Sequence, residues 1–143
     1  GWSYKYARRQ WNLVDNKELD YHFLGDFDRE MLKVIKSERN FINTEVREIW
    51  HNDGDQVLAY MRGDLLFVFN FSPTTSFTDY GFLVPVGSYD VVLDSDNKSF
   101  GGNGFNDDSL THLTNYDPLY VNEHKEWLKL YLPARTALVL KKN

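Results

Sequence analysis

Residues 45–71 constrain the fold of this chain most, because their apolar side chains repeat with a period of two rather than with a helical period. The stretch reads EVREIWHNDGDQVLAYMRGDLLFVFNF and contains two points at which the chain can reverse. Asp53-Gly54 is typical of a two-residue type I′ hairpin turn, and Gly63-Asp64 is a second two-residue turn. We therefore predict three strands joined by two tight hairpins.

The last of these strands, LLFVFNF, differs from the other two because it is apolar on both faces. In the strand before it, Val57, Ala59 and Met61 share one face, as side chains two residues apart do in an extended chain. A strand that is apolar on both faces needs a covering layer on each side. We therefore place LLFVFNF in the middle of a packed sheet.

Further strands are predicted downstream, most clearly in EWLKLYLPARTALVL. There Leu128, Leu130 and Leu132 alternate with Trp127, Lys129 and Tyr131, and Pro133 ends the strand. The predicted strands span 77–84, 88–94, 117–122, 126–132 and 135–141, and the polar, glycine-rich stretch between 94 and 117 is predicted to be a long loop. Short strands at this spacing, over about 100 residues, predict an antiparallel β-sandwich.

Before residue 40 the apolar period is helical. Tyr4, Ala7 and Trp11 predict a short first helix, and a second helix is predicted from about Leu19 to Ser37. The apolar stripe of the second helix consists of Leu24, Phe27, Met31 and Ile35. Exposure of large apolar side chains to water is unfavourable. We therefore expect this stripe to be covered by the sandwich or by a second copy of the chain, and we expect self-association through it.

Composition excludes several classes of partner and site. The net charge of −5 argues against nucleic acid, which needs a basic surface. Apolar runs such as LLFVF are too short to span a membrane. The sequence has no cysteine, which excludes disulfides and Cys-ligated metals and fits a reducing cytoplasm. The four histidines lack the spacing of a zinc site, so no metal and no cofactor are predicted.

The loop DSDNKSFGGNGF is the place where a calcium site can be sought, because Asp94, Asp96 and Asn97 begin like an EF-hand loop. The template then fails, since Lys98 takes the fifth position and Phe105 stands where a bidentate glutamate is needed. A turn-rich surface loop is the better interpretation. Asp94 and Asp96 remain the candidate functional pair, although no active site is visible in the residues themselves.

The aromatic content of 16% has two interpretations. Most of the 4 Trp, 9 Tyr and 10 Phe are needed as core volume. Others can form flat platforms on which sugar rings stack.

Five stretches resemble the C-terminal end of 1,4-α-glucan branching enzymes, which belong to the α-amylase superfamily, and they occur in the same order. They read SYKYARRQWNLVDN, YHFLGDFDREM, LLFVFNFSPTTSFTDY, YDVVLDSDNKSFGG and LYLPARTALVL. The resemblance covers essentially the whole chain. It implies a mainly β fold, an antiparallel Greek-key β-sandwich of the α-amylase C-terminal type, preceded by two helices left over from a (β/α)₈ barrel.

The resemblance also implies a division into two parts. Residues 1–39 would be the end of the catalytic barrel, comprising a loop on the active-site face and the last barrel helix, and residues 40–143 would be the C-terminal all-β domain. The dense start at Gly1, without an initiator methionine, leads us to expect a longer parent protein.

The implied function is that of a branching enzyme, which transfers α-1,4-glucan segments to form α-1,6 branches in glycogen or starch. Its three catalytic carboxylates would lie upstream of Gly1, so this chain has no catalytic residue and is expected to be inactive alone. Trp2, Tyr4, Arg8 and Arg9 would face the barrel rim and contact glucan, or would only pack the loop. The alternatives are a self-sufficient carbohydrate-binding module and a structural β-sandwich without a ligand.

Overall fold

A computed structural model describes residues 21–38, 44–119 and 123–143, in which one α-helix and nine strands are formed. The first predicted helix, with Tyr4 and Trp11, lies outside the described residues. The helix is α1 (Tyr21–Ser37), and the strands are β1 (Val46–Asn52), β2 (Val57–Arg62), β3 (Leu65–Asn70), β4 (Phe77–Phe82), β5 (Ser88–Asp94), β6 (Thr111–Leu113), β7 (Asn115–Tyr116), β8 (Glu126–Leu132) and β9 (Thr136–Lys142). The mainly β, antiparallel fold that the sequence predicts is confirmed.

The described strands form two antiparallel sheets. One has six strands in the order β1-β2-β3-β9-β5-β6, and the other has three in the order β4-β8-β7. The chain leaves the larger sheet after β3 and returns to it with β5, a crossover pattern of Greek-key type. All six residues of β3 are buried, and β3 pairs with β2 and β9, so the prediction that LLFVFNF lies in the middle of a sheet is confirmed.

One hydrophobic core lies between the two sheets. The alternation predicted in β8 is confirmed, because Leu128, Leu130 and Leu132 are buried in this core and the residues between them are half-buried. The buried members of this core are Val57, Ala59, Met61, Leu66, Val68, Phe82, Val84, Tyr89, Leu128, Leu130, Leu132, Leu138 and Leu140. Residues from both sheets therefore hold the sandwich together.

A second core lies on the other face of the six-stranded sheet, and α1 covers it. Met31 is completely buried, while Val34 and Ile35 pack against the same cluster. Its buried members are Met31, Leu58, Tyr60, Leu65, Phe67, Phe69, Leu93, Ala137 and Val139. An ion pair of 2.8 Å between Glu38 Oε1 and Lys141 Nζ joins the end of α1 to β9.

The sandwich therefore covers the part of the helical stripe that the structure describes. Met31 is fully covered and Ile35 partly, as the sequence predicts. The side chains of Leu24 and Phe27 lie outside the described residues. Self-association through the four residues stays a prediction.

Two predicted turns have different outcomes. Gly63 has a φ of 61° and occupies the two-residue turn between β2 and β3, as predicted. The prediction of a two-residue type I′ turn at Asp53-Gly54 is wrong, because residues 53–56 form a four-residue turn in which Gln56 has the positive φ, 58°. The side chain of Asn52 accepts a hydrogen bond from the amide of Asp55 at 2.8 Å and fixes this wider turn.

The region between β5 and β8 also differs from the prediction. Two short strands, β6 and β7, lie inside the predicted loop 94–117. The strand predicted at 117–122 is wrong over its described part, because the amide of Leu119 donates to Asp117 Oδ1 at 2.8 Å and closes a turn around Pro118. Proline fixes its own φ and has no N–H to donate to a sheet, which favours this turn. Among the described helices, none is long and apolar enough to cross a membrane.

Candidate functional site

The four residues predicted to contact glucan, Trp2, Tyr4, Arg8 and Arg9, lie outside the described residues. Their placement is therefore still a prediction. Within the described residues, two regions are candidates for a site, because one contains buried carboxylates and the other partly exposed aromatic rings. One is the loop after β5, and the other is the open edge of the sandwich between β1 and β4.

The loop after β5 is organised by the buried carboxylate of Asp96. Its Oδ1 accepts the amide of Asn103 at 3.0 Å, and its Oδ2 accepts the amide of Phe105 at 3.0 Å. The backbone oxygen of Asp96 accepts the amide of Gly104 at 2.7 Å. Asp96, one half of the candidate functional pair, thus uses its side chain to hold the loop together.

The same bonds explain the calcium-like residues of this loop. Asp94 Oδ1 accepts the amide of Asp96 at 2.8 Å, and Asn97 Oδ1 accepts the amide of Ser99 at 2.9 Å. These are turn-forming bonds between a side chain and the backbone two residues on. The turn-rich loop predicted from the failed EF-hand template is what the structure shows. Among the described residues, no three histidine or carboxylate side chains are grouped so that they could hold a metal ion.

Asp94 is the other half of the pair and is only 2% exposed. Its Oδ2 and the Oδ1 of Asp108 are buried and have no hydrogen-bond partner within the described residues. Burial raises the pKa of Asp94 to about 8, and the neighbouring carboxyl group of Asp108 adds to the rise. A single proton held between the two groups would satisfy both oxygens. Side chains of α1, namely Asp26, Arg29 and Glu30, line the cavity of about 460 Å³ next to this pair.

The raised pKa predicts a stability that depends on pH. Between the ordinary pKa of 3.8 and the folded value of about 8, the folded chain keeps a proton on Asp94 that the unfolded chain releases. The stabilisation that this proton gives the folded chain is complete below the ordinary pKa of 3.8. It decreases as the pH rises above 3.8 and is lost once the pH passes the folded pKa of about 8. A difference of one proton corresponds to about 1.4 kcal/mol per pH unit.

Asp94→Asn tests this expectation, because asparagine keeps the acceptor for the amide of Asp96 and does not titrate. The variant should gain stability relative to the native chain as the pH is raised from about 5 to about 8. Urea unfolding at several pH values measures the difference. Glu45→Gln, at an exposed carboxylate, is the control and should leave the pH dependence unchanged. A constant difference between Asp94→Asn and the native chain would contradict a raised pKa.

The second region is a groove along the open edge of the sandwich. The edge strands β1 and β4 meet there, one from each sheet. The groove has a volume of about 580 Å³ and is lined by Ile49, Trp50, Phe77, Thr78, Asp79, Tyr80, Gly81, Phe82, Leu83 and Trp127. Three of its rings pack in a row, with centroids 5.2 Å apart between Phe77 and Tyr80 and 5.2 Å apart between Tyr80 and Phe82.

Trp50 is held in a fixed orientation at this edge although it is 43% exposed. Its Nε1 donates to Tyr80 Oη at 2.8 Å, and Tyr80 Oη donates to Asp55 Oδ2 at 2.8 Å. Burial, together with the bond to Asp55, raises the pKa of Tyr80 to about 12, so the hydroxyl keeps its proton at neutral pH. The bonds fix one edge of the indole and leave part of the ring open to solvent.

Both edge strands are irregular beside the groove. The pairing of β1 shifts between Glu48 and Trp50, and the pairing of β4 shifts between Phe77 and Tyr80. Asp79, inside the second irregularity, has a φ of 52°. Bulges of this kind occur at sheet edges and next to binding sites, where they redirect a side chain.

The groove continues over β4 onto the outer face of the smaller sheet. A second depression of about 440 Å³ shares Asp79, Gly81 and Trp127 with the first. Its remaining lining is charged, and Lys129 Nζ and Asp117 Oδ2 form an ion pair of 2.9 Å. The complete lining of the depression is Asp79, Gly81, Asp117, Glu123, Lys125, Trp127 and Lys129. Together the two depressions, which we call the edge groove, combine aromatic faces with a polar rim.

The sequence did not single out the edge groove. Trp50 and Trp127 are 77 positions apart in the sequence. They line one groove only because the sandwich brings β1 close to β4, and no local pattern specifies that contact. One signal was present, because Trp127 alternates with the buried leucines of β8 and is therefore directed away from the core. A tryptophan that alternates with buried leucines, and so lies on the outer face of its strand, is the feature that could have indicated the groove.

Comparison with known proteins gives a consistent picture. Residues 49–143 match the family model described as alpha amylase, C-terminal all-beta domain. The chain is 42% identical over 143 residues to a 1,4-alpha-glucan-branching enzyme of Saccharomyces cerevisiae, with 98% of this chain and 20% of the relative covered. It is 38% identical over 148 residues to the enzyme of that name from Equus caballus, with 96% of this chain and 20% of the relative covered. The chain thus spans about a fifth of the length of these relatives.

Proposed function

Since this chain belongs to the alpha amylase C-terminal all-beta domain family, we propose that it is the C-terminal part of a 1,4-α-glucan branching enzyme. The observation that carries the proposal is the extent of the similarity. The family model begins at Ile49, whereas the match to the Saccharomyces cerevisiae enzyme covers 98% of the chain. The likeness therefore includes the helical segment before the sandwich, which a general sandwich domain would not share.

The proposed enzyme breaks an α-1,4 linkage of a glucan and joins the released segment to another glucan chain through an α-1,6 linkage. Glycoside chemistry of this kind depends on paired carboxyl groups on either side of the bond. The two carboxylates that the sequence singled out are engaged otherwise: Asp96 holds its loop, and Asp94 is buried beside Asp108. In this proposal the chain supports a catalytic domain and does not itself carry the reaction.

We also propose that the chain has two parts, a remnant of the catalytic domain followed by the sandwich. Residues 1–39 would end the catalytic barrel, and Trp2, Tyr4, Arg8 and Arg9 would face the glucan at its rim. Aromatic faces and arginine donors are suited to the apolar faces and hydroxyls of a sugar. The proposal also includes a cytoplasmic location, supported by the absence of cysteine from these 143 residues.

The test begins with the transcript that encodes this chain. We expect a reading frame that continues for several hundred residues before Gly1 and encodes barrel strands with the catalytic carboxylates. The encoded enzyme should branch amylose, measured as a shift in iodine staining, while the 143-residue chain alone should stay at the level of a blank. In the long enzyme, Trp2→Ala combined with Tyr4→Ala should raise KM for long glucan.

Two results would count against the proposal. Branching by the 143-residue chain alone would show that the chemistry resides here. A reading frame without a barrel would favour the other candidate, a self-sufficient carbohydrate-binding module, for which the exposed Trp50 in the edge groove is the supporting observation.

A further inference from the structure

We propose that the edge groove between β1 and β4 binds an α-1,4-linked glucan chain, at a site separate from the predicted contact at Trp2, Tyr4, Arg8 and Arg9. The choice of glucan rests on the proposed function, whereas the existence of a binding site rests on the groove itself. The site has two aromatic platforms, Trp50 and Trp127, and Gly81 belongs to the same lining, next to Trp127.

The first platform is Trp50. Its indole is partly exposed, and the bond to Tyr80 fixes the ring before any ligand arrives. A fixed ring loses little conformational entropy on binding, which favours affinity. The C–H face of a glucose unit can stack on the indole. Tyr80 and Asp55, which continue the hydrogen bonds from the edge of the indole, can then bind the hydroxyl groups of the sugar.

The second platform is Trp127, and Gly81 makes it accessible. A Cβ placed on Gly81 would lie 3.7 Å from Cε3 of Trp127, in ordinary contact with the ring. Any longer side chain at this position would extend over the indole. Glycine on the neighbouring strand therefore leaves room for a ligand above Trp127.

The charged rim suits a neutral ligand with many hydroxyl groups. The rim contains both the carboxylates of Asp79, Asp117 and Glu123 and the amines of Lys125 and Lys129. Both acceptors and donors are thus available, with no excess of positive charge that would select a phosphate or a nucleic acid. The bulges in β1 and β4 also disfavour pairing of another protein's strand with these edges.

A second glucan contact would serve the proposed enzyme by keeping a long substrate nearby. Once one part of a polymer is held, the rest is present at a high effective concentration around the same protein. Such a site need only bind weakly to raise the residence time of a long chain. Short acceptors that cannot reach both sites would gain nothing.

The experiment measures binding of maltoheptaose to the 143-residue chain by isothermal titration calorimetry. Trp50→Ala should weaken binding at least ten-fold. Gly81→Leu, which removes no core atom and covers Trp127, should weaken it to a similar degree. Phe105→Ala is the matched control, because Phe105 is 62% exposed and lies outside the groove. Its affinity should stay within two-fold of the native chain, and cellohexaose, which has β linkages, should bind at least ten-fold more weakly.

Thermal melts show that each variant is folded, and Gly81→Leu decides the matter if Trp50→Ala does not fold. Affinity within two-fold of the native chain for both variants would overturn the proposal, as would failure of maltoheptaose to bind the native chain. The second result is expected if the groove is instead covered by another part of a longer enzyme. Either result would leave the proposed function standing, because that depends on the upstream reading frame and on branching activity.

Discussion

Replacement of Phe67 by alanine is expected to lower the free energy of unfolding by about 3–5 kcal/mol. Phe67 is completely buried in β3, the strand in the middle of the six-stranded sheet. Its ring stacks on Tyr60 with a centroid distance of 4.9 Å and belongs to the core that α1 covers. The variant would lose the transfer free energy of the ring and would leave a cavity that strands paired on both sides cannot easily close.

The measurement is urea unfolding of the native chain and the variant, followed by tryptophan fluorescence. Phe105→Ala deletes the same atoms from a side chain that is 62% exposed, so its cost should be below about 1 kcal/mol. Equal losses for the two variants would mean that the sheet centre is not the stabilising core of this domain.

Gly102→Ala is expected to disrupt the loop after β5 and to destabilise the chain by about 3 kcal/mol or more, in the range of the most damaging single substitutions. A Cβ at this position would lie 2.1 Å from the backbone oxygen of Asp96 and 2.3 Å from its carbonyl carbon. Because these are backbone atoms, no side-chain rotation can relieve the clash. The turn would have to open, and the amides of Asn103 and Phe105 would lose their bonds to Asp96.

Gly81→Ala is the control for Gly102→Ala, since the added methyl group would make only ordinary contacts, the nearest at 3.7 Å to Trp127. Differential scanning calorimetry of both variants gives the comparison. We expect a large decrease in Tm for Gly102→Ala and a small change for Gly81→Ala. A native Tm for Gly102→Ala would show that the turn can adopt another backbone path.

The parts of the fold that local pattern determines were predictable. The apolar segment LLFVFNF requires cover on both faces, and it lies between β2 and β9 with the small sheet on one side and α1 on the other. The alternation in β8 likewise follows directly from burial on one face. Turn geometry was harder, because Asp53-Gly54 fits a type I′ turn locally, but the side chain of Asn52 stabilises a wider turn with Gln56 at positive φ.

The candidate site was less predictable because its residues depend on contacts between distant strands. Trp50 and Tyr80 are joined by a hydrogen bond, yet they lie in different sheets. Asp94 and Asp96 stood out in sequence as a pair of carboxylates, but only the structure distinguishes the one that holds amides from the one buried beside Asp108. The prediction at Trp2, Tyr4, Arg8 and Arg9 lies outside the described residues.

The packing of α1 on the six-stranded sheet limits where a chimaera of two related proteins can be joined. Met31 is buried in the core between α1 and the six-stranded sheet, and Glu38 forms an ion pair with Lys141 on β9. A chimaera spliced at residue 40 would bring together a helix and a sheet that had not evolved side by side. The unit to exchange is therefore the sandwich together with α1, and a crossover point placed before Tyr21 takes both sides of this contact from the same relative.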